Sequence, residues 1–219
     1  MNHTRRIFLM GASGAALYAA PSEKVTLGVV GSGGRGTFVM SIFQKDPDLR
    51  VGAICDVYEP NLENALSAAS KAQGSAPKAY RNYKQLLDDK SIDAVLIASP
   101  EHWHHHMVLD ALAAGKDVYV EKPLCHTPEE GVELVEAEKR SKNIIQVGMQ
   151  RRSYDLYQEG RKIVASGALG DVHMVRSWWL NTQLDGRKAT RLDGVLDWKQ
   201  WLGPHPQRPM DPDIFRRWR

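Results

Sequence analysis

The sequence predicts an α/β protein built on a doubly wound parallel sheet. Three observations carry this. Short apolar runs rich in Val, Leu and Ile alternate with amphipathic stretches from Val25 to Val147. The first run leads into a glycine-rich turn, Gly31-Ser32-Gly33-Gly34-Arg35-Gly36, and then into a helix. Asp56 closes the second run, 20 residues past Gly36. Alternation of this kind implies a parallel sheet covered on both faces, because each crossover lays a helix on the sheet.

Val25–Val30 reads as a buried strand by its Val and Leu content, and Thr37–Gln44 as the helix after the glycine turn. Leu49–Cys55 is a second strand. In Glu59–Gln73, Leu62, Ala65, Leu66 and Ala69 recur on one helical face. Asp93–Ala98 is an apolar strand, and Trp103–Ala114 is a helix stopped by Gly115. Asp117–Val120 is a strand. Thr127 caps the next helix, with Pro128 at its first position and Glu130 completing a capping box. That helix runs to about Ser141, and Ile144–Val147 is the next strand.

The character changes after Gly148. Tyr154–Ser166 reads as a helix and Asp171–Leu180 as a long strand carrying Trp178 and Trp179. Residues 181–219 show no periodicity and are rich in Arg, Pro and Trp. Trp178, Trp179, Trp198, Trp201 and Trp218 need a surface to bury against. The tail itself offers little of one. They are expected in a core or an oligomer interface rather than in a sugar-stacking platform. The expected organisation is a targeting segment over 1–23, a nucleotide-binding domain over 24–148, and over 149–219 the incomplete start of a second α/β domain.

A hydrophobic fraction of 42% and a charged fraction of 25% are those of a soluble globular domain. They exclude a disordered tail, a collagen-like rod and a multi-span membrane protein. The formal charge is +3. Without Arg5 and Arg6 it is 27 minus 26, or +1, with no basic stripe, so no nucleic-acid partner is expected. Cys55 and Cys125 are too few for a disulfide framework and read as free, buried thiols.

The N-terminus carries a polar, basic start and then a mild apolar run, Ile7 to Ala20. The run is short of the roughly 20 apolar residues that cross a membrane. Thr4-Arg5-Arg6-Ile7-Phe8-Leu9 resembles a twin-arginine export signal, which implies the export machinery as a partner and a periplasmic location. A basic N-terminus on a cytoplasmic protein, or a retained membrane anchor, are the alternatives. Pro21 hinders cleavage after Ala20, which leaves Ala19.

The chemistry starts at the glycine turn, which follows a strand and opens a helix as a dinucleotide fingerprint does. Gly31 permits the tight turn, Gly33 admits a pyrophosphate, and Gly36 brings helix and strand together. Ser32, Gly34 and Arg35 share the loop. The helix N-terminus offers amides and a positive dipole end to phosphates. Asp56 stands where a carboxylate binds the adenosine ribose hydroxyls. Its charge opposes a 2′-phosphate, so NAD is favoured and NADP stays open.

Glu121-Lys122-Pro123 follows the strand Asp117–Val120, so Lys122 lies at the C-terminal edge of the sheet, where ligands bind. A lysine there polarises a hydroxyl or stabilises an alkoxide as hydride leaves. A surface salt bridge is the plainer reading of its position. Glu121 pairs with Lys122 or holds the nicotinamide ribose. No metal site is expected. His102 and His106 are four apart, but no carboxylate or cysteine completes a set and no HExxH string occurs. Arg151 and Arg152 lie where the chain leaves the sheet. Two readings stand for them: contacts to an anionic or hydroxylated substrate, or solvated linker charges.

VTLGVVGSGGRG, ICDVYEP, IASPEHWHHHMVLDALAAGKDVYVEKPL and VGMQRRS resemble the Gfo/Idh/MocA family of oxidoreductases, and LDWKQWLGPHP resembles its exported members. The resemblance implies a Rossmann-type domain followed by an α/β domain with a large open sheet. It implies a sugar, polyol or related hydroxyl compound as substrate, and a homo-oligomer at full length. It implies that Lys122 contacts the reacting end of substrate and nicotinamide. It also implies that Ser99, Pro100, His104 and Glu121 line the cofactor cleft. The family's companion Asp and His come from a second-domain motif that 151–219 does not contain, so the chain is expected to be an N-terminal fragment. Relatives that hydrolyse glycosides by transient oxidation, and a nucleotide-binding module without catalysis, are the alternatives.

Overall fold

Six strands pair in parallel in the order β3-β2-β1-β4-β5-β6. They are β1 (Val25–Val30), β2 (Leu49–Cys55), β3 (Lys78–Tyr80), β4 (Ala94–Ile97), β5 (Asp117–Glu121) and β6 (Ile145–Gly148). The helices are α1 (Gly34–Phe43), α2 (Glu59–Gln73), α3 (Tyr83–Asp88), α4 (His104–Ala113), α5 (Pro128–Arg140), α6 (Asp155–Ala165), α7 (Trp198–Leu202) and α8 (Pro212–Arg216). This computed structural model describes residues 24–178 and 191–217. The expected signal over 1–23, with Arg5 and Arg6, lies outside the described residues, as do Trp179, Leu180 and Trp218. No helix among the described residues is long and apolar enough to cross a membrane.

The sheet is apolar on both faces because helices cover both. On β4, Val95 and Ile97 join one buried cluster with Val108, Val118, Val120 and Leu134, under α4 and α5. Leu96 joins the other, with Val29, Met40, Val51, Ile54 and Leu62, under α1 and α2. Strand residues pointing both ways are thus buried, as a doubly covered parallel sheet requires. Gly28 is small for a packing reason: a Cβ there would lie 2.7 Å from Leu86 Cδ2 of α3. The Thr127 hydroxyl accepts the Glu130 N–H at 3.3 Å, and the Glu130 carboxylate reaches the N–H of His126 at 2.7 Å.

β3 and α3 have no counterpart in the sequence pattern. β3 is an exposed edge of three residues with no apolar run, and α3 is six residues long, capped by Asn82. The expected strand Asp171–Leu180 is corrected: residues 171–178 form no strand, and Met174, Val175 and Trp178 are exposed. High β-propensity alone does not make a strand without a sheet edge to pair with. α6 likewise leaves Leu156, Ile163 and Val164 exposed.

The tail finds its order outside itself. Residues 191–217 pack on the sheet and its helices, which supply the surface that Trp198 and Trp201 need, while Trp178 stays exposed. The Tyr58 hydroxyl donates to the Asp193 carbonyl at 2.6 Å, and Tyr58 bridges to Leu196 in antiparallel fashion. Glu59 N–H donates to Val195 O and Asp197 N–H to Val57 O, both at 2.9 Å. Trp103 Nε1 donates to the carbonyls of Gln200 and Trp201 at 3.1 and 3.0 Å. His102 Nε2 lies 2.8 Å from the Trp201 carbonyl. Tyr58, Trp201, Leu202 and Phe215 form a third buried cluster. Trp201 stacks on Trp198 with centroids 4.7 Å apart and planes 8° apart.

This docking carries a pH dependence. Burial holds the His102 imidazole below its ordinary value, and His205 and His126 push the same way. The Trp201 carbonyl and Glu101 oppose them without reversing the shift. A histidine with a depressed folded value is neutral in the fold and charges on unfolding. Its contribution is therefore intact above the ordinary value of 6.5 and is lost as pH falls below it. The thermal midpoint read by tryptophan fluorescence should drop between pH 7 and pH 5, and His102→Gln should flatten that slope. Equal slopes in both proteins would remove His102 as the cause.

Candidate functional site

β1 and β4 are neighbours whose helices leave to opposite faces, α1 to one and α4 to the other. Their C-terminal ends therefore part, and a crevice at such a switch point is where open α/β sheets bind ligands. A cleft of about 250 Å³ opens there. Gly31, Gly33, Gly34, Asp56, Ser99 and Pro100 line its sheet side.

The loop is shaped by three glycines. Gly31 has φ of 82°, a left-handed conformation that favours glycine. Its N–H donates to the Cys55 carbonyl at 2.9 Å, pinning the turn to β2. A Cβ on Gly36 would overlap the Gly31 carbonyl oxygen. Gly33 is the N-cap of α1 and supplies no side-chain cap, which leaves the helix N-terminus to an anion. A strand end, a glycine-rich loop and an uncapped helix start together fit a dinucleotide's pyrophosphate.

Asp56 is buried at the cleft. Its Oδ2 accepts from the Ser32 N–H at 2.7 Å, the Ser32 hydroxyl at 3.2 Å and Asn61 Nδ2 at 3.5 Å. Oδ1 accepts from the Tyr58 N–H at 2.8 Å. Burial raises the carboxyl's pKa, and the bonds from Tyr58, Ser32 and Asn61 offset this in part. A carboxylate oxygen has room for about two donors. Oδ1 thus keeps accepting capacity for a ligand hydroxyl. Ser32 does not line the cleft: its N–H and hydroxyl are spent on Asp56.

Glu121 and Lys122 stand apart from the cleft lining, at the end of β5. Glu121 is buried and pairs with Arg35 Nη2 at 2.7 Å, not with Lys122. Arg35 lies in the first turn of α1, so the pair ties that helix to the end of β5. Lys122, half-buried, is the first residue past β5, and its bond to Pro123 is cis. His104 is corrected. It is buried behind the cleft, with Nδ1 2.6 Å from the Pro123 carbonyl and Nε2 2.9 Å from the Ser99 carbonyl. It opens α4 with its ring turned inward, so it joins the turns after β4 and β5 and supports the site rather than lining it.

Arg151 and Arg152 are exposed on the 3-10 turn Gln150–Ser153, past β6, and line no part of the cleft. Arg151 Nη1 donates to the Tyr157 hydroxyl at 2.8 Å. His105 meets Glu133 at 3.0 Å, and His106 is exposed. Among the described residues no group of three or more His, Cys, Asp or Glu is placed to hold a metal. The remaining walls were not anticipated from the sequence: Tyr83, Trp103 and Met107 on one side, Gln200, Trp201 and Phe215 on the other. Four of them stand in strings already marked, Trp103 and Met107 in the run that ends in EKPL, and Gln200 and Trp201 in LDWKQWLGPHP.

Such a crevice defines a nucleotide-binding α/β protein. The chain belongs to the Gfo/Idh/MocA oxidoreductase family, whose NAD-binding Rossmann-fold profile matches residues 25–149, more than half of its length. It is 31% identical to an inositol 2-dehydrogenase of Rubrobacter xylanophilus, over 75% of this chain and 46% of that one. It is 33% identical to an alpha-N-acetylgalactosaminidase of Shewanella oneidensis, over 61% of this chain and 30% of that one. Its fold resembles that of scyllo-inositol dehydrogenase from Lactobacillus casei, solved with NAD(H) and scyllo-inositol. The TM-score is 0.60 at 27% identity, covering 68% of this chain and 43% of that one. The chain spans less than half the length of these relatives.

The two thiols differ. Cys55, on the cleft floor, is pushed up to about 12 by burial and then by the Asp56 carboxylate. Cys125 is only partly buried, against the expectation of two buried thiols. Only a thiolate reacts readily. At pH 8 a chromogenic disulfide reagent should titrate one thiol per native chain and two in denaturant. Peptide mapping should place the native adduct on Cys125. Native labelling of Cys55 would contradict this placement.

Proposed function

We propose that this protein is an NAD-dependent oxidoreductase acting on a sugar, polyol or related hydroxyl compound. The observation that carries the reading is the glycine-rich loop at the switch point with the buried Asp56 carboxylate beside it. The inositol dehydrogenase relatives support a cyclic polyol as the first substrate to try. The nicotinamide, when bound, supplies the hydride acceptor or donor. The amides of Gly33 and Gly34 hold phosphate, and Asp56 Oδ1 accepts a ribose hydroxyl. Lys122 Nζ takes the proton from the substrate hydroxyl or stabilises the oxyanion. Arg35 and Glu121 are positioning residues that fix the end of β5, and hence Lys122, against α1. The uncovered apolar side chains of α6 support reading the chain as the cofactor half of a longer enzyme.

A second reading keeps the cofactor site and changes the reaction: glycoside hydrolysis with transient oxidation of the sugar. The Shewanella relative, named for a glycosidase activity, supports it. It also suits export. A twin-arginine signal built on Arg5 and Arg6 would deliver a folded protein to a compartment poor in free NAD. A tightly held cofactor regenerated within each cycle fits such a place.

Calorimetry with NAD tests the cofactor assignment. The 219-residue chain should bind NAD. Asp56→Ser should weaken it about tenfold to a hundredfold, the scale of a lost hydrogen bond to a charged group. The preference over NADP should narrow as well. Unchanged affinity in the variant would overturn the ribose assignment. Cell fractionation tests export: wild type should reach the periplasm, and a variant with Arg5→Lys and Arg6→Lys should stay in the cytoplasm. Wild-type protein held wholly in the cytoplasm would overturn the location.

A further inference from the structure

The cleft has a wall that the nucleotide-binding domain does not supply. Gln200, Trp201, Phe215 and Arg216 line it from the docked tail, and Tyr83, Trp103 and Met107 line it from α3, the turn after β4 and α4, Trp103 also bonding the tail. We infer that residues 198–216 form the roof of the adenine subsite, with the base held between Trp103 and Met107 below and Trp201 and Phe215 above. The inference rests on the NAD-binding reading and assigns its adenine end to named residues.

The chemistry of the cleft divides it. The glycine loop and α1 take phosphate, and Asp56 takes ribose. What is left is aromatic and apolar, with Tyr83, Trp103, Trp201, Phe215 and Met107, which suits a flat heteroaromatic ring. At about 250 Å³ the space falls below the roughly 300–1,000 Å³ of pockets that take a whole drug-sized ligand. It fits one half of a dinucleotide, not both. Because Asp56 is in this space and Lys122 is not, the half is the adenosine.

The roof is tied down by contacts within the protein. Trp201 is fixed by its stack on Trp198 and by edge contact with the His102 ring, 5.3 Å between centroids. Its carbonyl and that of Gln200 are both taken by Trp103 Nε1. The Gln200 amide nitrogen donates to Asp197 Oδ2 at 2.6 Å, which leaves the amide oxygen as an acceptor. An acceptor at the rim of an aromatic slot suits the exocyclic amine of a 6-aminopurine. A wall fixed by its own contacts spends little of the binding energy on its ordering.

The test uses the full 219-residue chain, with NAD and AMP as probes. Both should quench tryptophan emission in wild type. Trp201→Ala should weaken both by about tenfold or more, the scale of a lost base–aromatic contact, and by the same factor. Phe215→Leu, which keeps an apolar side chain, should weaken both by a smaller factor. Hydrogen exchange over 191–217 reports whether the tail stays docked. A variant with an undocked tail serves equally, because it removes the roof wholesale. If both variants bind AMP and NAD as tightly as wild type, the roof is disproved while the NAD reading stands. If wild type binds neither probe, the NAD reading falls and the roof with it.

Discussion

The buried Asp56 carboxylate is the joint on which the rest of the site depends. It receives the N–H and hydroxyl of Ser32 from the glycine loop, the N–H of Tyr58 from the turn after β2, and Asn61 from α2. Three elements converge on one side chain. Tyr58 carries the linkage further, since its hydroxyl holds the Asp193 carbonyl of the tail. Removing water from a carboxylate is costly, and it is tolerated here because donors surround it. The same desolvation leaves the group more basic than usual and more responsive to one further donor.

A second linkage runs at the other edge of the loop. Arg35 reaches from the first turn of α1 to Glu121 at the end of β5, and His104 lies between the carbonyls of Ser99 and Pro123. The end of β5 is thus held from α1 and from the turn after β4. Lys122 follows at once. In the role proposed for it, such support matters, because a small misplacement of a reacting group costs much of the rate.

The strands β1, β2, β4 and β5 and the helices α1, α2, α4 and α5 follow from periodicity, because buried parallel strands and amphipathic helices write their environment into the sequence. β3 and α3 do not: an edge of three residues and a helix of six carry too few apolar positions. The glycine loop and Asp56 were readable because their chemistry is local. His104 was placed in the cleft by resemblance, and resemblance in sequence does not say which way a ring turns. The tail was opaque for a different reason. Its order comes from contacts with residues about a hundred or more positions away, such as Trp103 with Trp201. Pattern within the segment records none of them.

That long reach has a bearing on how the protein is made. Synthesis runs from the N-terminus, and a domain folds once its own residues have emerged. The sheet, the glycine loop and Asp56 are complete by Gly148, whereas Gln200, Trp201 and Phe215 emerge about fifty residues or more later. For several seconds of translation the crevice therefore stands open on one side, and it narrows only when residues 198–216 settle. Asp56 is thus most open to a small molecule in the interval before those residues dock.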